Sequence, residues 1–246
     1  MFYFALFWAS LIGLLASWEM ALYSPAYIFY WFGLCLASSV LSALFLTKNS
    51  ENWKKATISR LSIVLFSIGV LWWLLWIDFV LVKYTIPFIL WILIVYLVQN
   101  SYKMGVLGRK EKLALFFGGT YFWSAISYGL LTVLGWKIWL CLLIFLASFG
   151  ILIFSVVQII SDDMDYRKTK AFILSLFIGA EFFVVISWLP FASATLALIL
   201  SVGALFVYDL IKYYVNPDLI RRRIIARKII VYALFLLLAL LSTPWH

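Results

Sequence analysis

Long apolar runs separated by short polar stretches organise the whole chain, and within the runs apolar and polar residues do not alternate. A run of about 20 apolar residues matches the length of a helix crossing a bilayer core. Membrane barrel strands would alternate with a period of two, so the pattern predicts helices throughout. The first run extends from Met1 to about Trp18 and reads as a retained span, because no basic segment precedes it and no small-residue cleavage site follows. The second runs from about Tyr23 to Phe45 and ends in the polar stretch Lys48 to Lys55. The block from Leu61 to Gln99 is close to twice a span, which predicts a hairpin, spans three and four, turning near residues 79 to 86.

After the polar loop Asn100 to Lys112, the block from Leu113 to Ile160 predicts a second hairpin turning at Gly135, Trp136 and Lys137. The charged run Ser161 to Lys170 leads into spans seven and eight, with Pro190 marking the turn between them. A basic segment from Lys212 to Lys228 precedes the last run, whose strictly apolar core, Ile229 to Leu241, is short for a bilayer. With Arg227 and Lys228 snorkelling it forms a ninth span; lying in the interface it leaves eight. The expected fold is an all-α, polytopic transmembrane bundle of about nine spans, one integral membrane domain over residues 1–246 with no soluble domain.

Composition and charge sharpen this picture. Of the 246 residues 67% are hydrophobic and 12% charged, far from the balance of a soluble domain. Among the 19 Lys and Arg, only Lys83 and Lys137 fall in the turns of one side; the rest carry or border the four longer loops on the other. By the positive-inside rule those loops are cytoplasmic, in an inner or plasma membrane. Trp18, Trp76, Trp136, Trp139, Trp188 and Trp245 gather near the opposite interface, where indoles preferentially sit. The net charge of +9 is thereby assigned to loops beside anionic lipid, and no nucleic-acid partner is needed. Arg221, Arg222, Arg223, Arg227 and Lys228 form the densest cluster and the candidate lipid-headgroup contact.

Candidate chemistry is sparse. The one histidine is His246, which excludes paired-histidine haem ligation, histidine-based zinc sites and Ser-His or Cys-His nucleophiles. Cys35 and Cys141 sit in apolar runs as small hydrophobes. Glu181 is the deepest ionisable residue, about ten residues into span seven. An acid there is expected to face the bundle interior, protonated or paired, as a proton or cation coupling candidate or as a structural hydrogen-bonding group. Asp78 with Lys83 flanks an outer turn; Asp209 and Lys212, at i,i+3, share one helical face near the inner end of span eight and are expected to pair locally. Glu181, Asp78, Asp209 and Lys212 together are the candidates for an intramembrane polar path. Small residues spaced for helix packing occur at Gly13 with Ser17 and at Gly33 with Ala37.

Asp162, Asp163 and Asp165 lie in the loop after span six, where clustered carboxylates at a membrane face suit Mg²⁺ and, through it, a diphosphate. Nine spans with an Asp-rich loop after span six resembles the UbiA-type prenyltransferases. The resemblance implies Mg²⁺-dependent chemistry on a phosphorylated isoprenoid. The loop after span two, where that family has a second Asp-rich motif, reads Asn49, Ser50, Glu51, Asn52, and the DxxxD spacing is absent from the later loop. The leading expectation is therefore a non-enzymatic membrane protein without a cofactor. It is either a small transporter or channel or an accessory subunit, contacting membrane lipids and other membrane subunits, and the lipid-active enzyme is the alternative.

Overall fold

In a computed structural model of the chain, the described residues are 53–74, short stretches between 81 and 97, 108–160, 166–219 and 222–241. They are helical and include no strand. Among the described residues six complete helices follow one another: α1 (Trp53–Leu74), α2 (Arg109–Thr132), α3 (Ile138–Ile160), α4 (Tyr166–Ser187), α5 (Ser193–Val215) and, after a 3-10 turn at Pro217–Leu219, α6 (Arg222–Leu241). Three are long and apolar enough to cross a membrane, Ile138–Gln158, Tyr166–Ser187 and Ser193–Val215. The nine-span expectation is thus matched by fewer spans among the described residues. The runs expected as spans one and two, the paired Gly13 and Ser17 and Gly33 and Ala37, Asp78, Lys83 and Arg221 lie outside them.

The chain divides into two compact units, residues 1–112 and 113–246. In the first, α1 buries Ser62, Ser67 and Val70 on the same helix as Ile63 and Ile68. Ser62 and Ser67 donate to the carbonyls of Ile58 and Ile63, one turn back. Such back-bonding satisfies a hydroxyl without a partner helix, which is how a polar residue is tolerated in an apolar span.

In the second unit the turns fall where hydropathy places them. Gly135, with φ of 63°, closes the link between α2 and α3. A left-handed residue there costs glycine little and other residues about 1 kcal/mol or more. The link between α4 and α5 passes through Trp188, Leu189 and Pro190. Asn216 and Pro217 stop α5: the Asn216 N–H donates to Lys212 O at 3.0 Å, and Pro217 has no donor to continue the ladder. Helix starts differ from the polar loops read from sequence. α1, α2 and α4 each begin inside a charged stretch, at Trp53, Arg109 and Tyr166. Lys, Arg and Glu are good helix formers, so the helix continues through the charges after the lipid-matching segment ends.

A continuous cluster of five buried rings, four of them stacked, joins α2, α3 and α4. Tyr128 stacks on Phe183 at 4.6 Å between centroids, Phe183 on Phe145 at 5.1 Å and Phe145 on Phe149 at 5.2 Å, and Phe149 meets Phe116 at 5.9 Å. Tyr128 also donates its hydroxyl to the Phe183 carbonyl at 3.0 Å, so its polar end is satisfied inside the stack. Close approach of the helices is set by glycine. A Cβ at Gly179 would lie 2.7 Å from Phe149 Cε1, and one at Gly203 would lie 2.9 Å from Phe182 Cδ2. Small residues at interfaces let backbones meet in lipid, where packing rather than water drives association.

Candidate functional site

Helix α4 sorts its residues by size as well as by polarity. Its buried face is Lys168, Ala171, Ser175, Gly179, Phe183 and Ile186, at intervals of three and four. Of the small residues in that stripe, Gly179 lies against Phe149 of α3. The opposite face exposes Leu174 at 59%, Phe177 at 67%, Val185 at 66% and Trp188 at 82%, and Glu181 is exposed in the middle of them. Glu181 was expected to face the bundle interior; within the unit of residues 113–246 it is exposed. The reason is angular: two residues from Gly179 and two from Phe183, it is turned roughly 200° from each at 100° per residue. By helical rise it stands roughly 16 Å from Lys170 and 10 Å from Trp188, within the apolar part of the helix. A carboxylate in hydrocarbon costs about 2.5–3.5 kcal/mol or more, and the short Glu side chain cannot snorkel that far.

The second polar constellation joins α5 and α6. Asp209, with 7% of its side chain exposed, receives a charge-assisted hydrogen bond from Lys228 Nζ and a second from Tyr232 Oη at 2.6 Å. Helix α6 turns Ile225, Lys228, Tyr232 and Leu236 inward as half-buried residues, four positions on one face. Lys228 and Tyr232 are one turn apart, so both reach the same carboxylate. The two nitrogens Lys212 Nζ and Lys228 Nζ lie 5.8 and 5.7 Å from the centre of the Tyr213 ring. Two partners of Asp209 thus come from the next helix, a pairing that the i,i+3 spacing to Lys212 does not anticipate. Lys228 is correspondingly drawn out of the headgroup cluster, whose described members Arg222, Arg223 and Arg227 stay exposed. No sequence signal marks Tyr232 as a ligand of Asp209, because their separation along the chain is long.

The remaining polar residues are mostly self-satisfied. Thr120, Ser124, Thr132, Ser148, Ser175 and Ser201 each donate to the carbonyl one turn back. Lys168, 3% exposed, has no hydrogen-bond partner for Nζ, and buried oxygens of Ser59, Ser127, Ser155, Gln158 and Tyr208 also lack one. Asp162, Asp163 and Asp165 lie outside the described residues, among which no group of three His, Cys, Asp or Glu is placed to hold a metal ion. Cys141 is buried and free. Asp209 and Glu181 sit on different helices; one is sequestered between helices while the other is exposed. Comparison of the chain with protein-family models, curated proteins and solved structures gives no match.

Proposed function

We propose that this chain is a non-enzymatic, multi-pass subunit of a membrane assembly, packed through α4 against another integral membrane protein. One observation carries the reading: an ionisable residue inside the apolar span lies on an exposed face, flanked by large apolar side chains. Intramembrane acids are almost always turned toward a bundle interior or a water-filled cavity. In this reading a second protein supplies that interior to the exposed face of Glu181. The buried aromatic rings between α2, α3 and α4 also argue against a polar route through them. The transporter or channel reading, with Glu181, Asp78, Asp209 and Lys212 along one path, is disfavoured by the separate placement of Glu181 and Asp209.

The reading includes about nine spans in an inner or plasma membrane, with the basic loops cytoplasmic by the positive-inside rule. Arg222, Arg223 and Arg227 then meet anionic headgroups, each attracted by about 1 kcal/mol. No cofactor enters this function. Native mass spectrometry of the protein extracted in lipid nanodiscs tests it. The expected species is heavier than the 28.4 kDa chain by a stoichiometric protein partner. A species of the chain with lipid alone would reject the subunit assignment.

A further inference from the structure

We infer that the first turn of α4, with the buried Lys168, is a phosphate site at the basic end of the second unit, filled by an anionic lipid headgroup or by free phosphate. Lys168 is 3% exposed, and its Nζ has no hydrogen-bond partner. Protonated or neutral, that nitrogen carries N–H donors, and buried donors left without an acceptor are destabilising. A bound phosphate accepts from them and holds the proton on the amine. The site lies apart from the face of Glu181 and from Arg222, Arg223 and Arg227, and it does not depend on the subunit reading.

Three features of the fold converge on this turn. Lys168 heads the buried stripe of α4 and stands about three turns before Gly179, on the face that meets Phe149 of α3. Side chains of a helix lean toward its N-terminus, which carries Nζ back over the first turn. The N–H groups of that turn have no acceptor inside the helix and make its end partially positive. Acids are favoured at such an end, yet the first turn holds none; Arg167 and Lys170 flank Lys168 instead, both exposed. An anion is the complement to dipole and cations alike. The third feature is Gln158, whose Oε1 is also buried without a partner. Phe154 of α3 packs edge-on against Phe172 of α4 at 5.6 Å. Gln158 is one turn beyond Phe154 and Lys168 one turn before Phe172, so the antiparallel helices bring the two level. A neutral amide cannot offset the lysine, but it can donate to a phosphate through its nitrogen or accept from a headgroup hydroxyl. Gln158 also closes the apolar segment Ile138–Gln158, which sets the pair at the edge of the hydrocarbon, beside the lipid phosphates.

Thermal unfolding of the full chain in nanodiscs tests the site, because a ligand of the folded state raises the unfolding temperature with its concentration. The discs contain phosphatidylcholine alone or with phosphatidylglycerol, and each receives inorganic phosphate or, at equal ionic strength, chloride. Stabilisation by phosphatidylglycerol identifies the source as a headgroup; stabilisation by phosphate in phosphatidylcholine identifies it as the free anion. In the arm that responds, Lys168→Met and Lys168→Gln should each weaken binding about tenfold, as loss of a charge-assisted hydrogen bond does. Lys170→Met removes the same charge from the exposed side and should weaken it about twofold or less. No response in either arm, or equal losses at Lys168 and Lys170, overturns the site. So does the finding that Asn at positions 162, 163 and 165 destabilises the parent chain but not Lys168→Met, because the chain's own loop then answers the lysine.

Discussion

Asp209 accepts from two donors on the neighbouring helix, and that pairing decides what kind of residue it is. Removing the acceptor as Asp209→Ala leaves Lys228 without its carboxylate and Tyr232 without its acceptor. Lys228 has 36% of its side chain exposed and can turn toward water, so the loss should be about 1–2 kcal/mol, below the 3–5 kcal/mol of a fully buried pair. Tyr232→Phe removes one hydrogen bond and should cost about 0.6 kcal/mol, the average for such bonds in membrane helices. Thermal unfolding in detergent reads both. Equal losses for the two variants would contradict the assignment of Lys228 as the stronger partner. This pairing was hidden from the sequence for a physical reason. Spacing rules on a helix see neighbours three or four positions away, and Asp209 and Lys228 are brought together only by the α5 to α6 turn. Glu181 was legible as an intramembrane acid, but its direction was not, because both faces of α4 are apolar. What separates them is size, with Ala171, Ser175 and Gly179 at i,i+4 steps on the buried side.

At the scale of elements, the small-residue stripe of α4 predicts a graded response at its one glycine. A Cβ at Gly179 would meet the Phe149 ring at 2.7 Å, and that ring is held in the stack by Phe145 and Phe116. Gly179→Ala gains helix propensity of about 1 kcal/mol but must displace the ring, so it should be close to neutral or modestly destabilising. Gly179→Leu has no such offset and should cost about 1–3 kcal/mol, with altered aromatic circular dichroism as the stack opens. Unchanged stability in Gly179→Leu would mean that α3 and α4 do not meet here. The element boundaries show how far hydropathy carries. It located the turns at Gly135 and Pro190 because a bilayer-length apolar run must end there. It placed the starts of α2 and α4 too late, since charged residues at a helix end leave the lipid without leaving the helix. The close glycine contacts were not legible, because the partner of each glycine lies on a different helix.

At the scale of the molecule, charge asymmetry and the exposed α4 face underlie two proposed surfaces, one toward water and one toward protein. The basic ends of α2, α4 and α6 lie opposite the turns that carry Trp136 and Trp188. The orientation proposed from that asymmetry predicts that a cysteine at position 135 reacts with an impermeant reagent added outside intact cells, whereas one at position 218 does not. The reverse pattern would invert the topology while leaving the packing untouched. The central claim, however, is that protein covers the face of Glu181, and nitroxide accessibility tests it most directly. Spin labels are placed at positions 177 and 185, with Cys35 and Cys141 replaced by alanine, in assemblies extracted in native nanodiscs. Coverage by protein predicts low collision rates with both oxygen and a water-soluble nickel chelate, and a rise in the oxygen rate once the chain is purified alone. High oxygen access in the native assembly would put the face in lipid, and high nickel access would line it with water; either result would contradict the account.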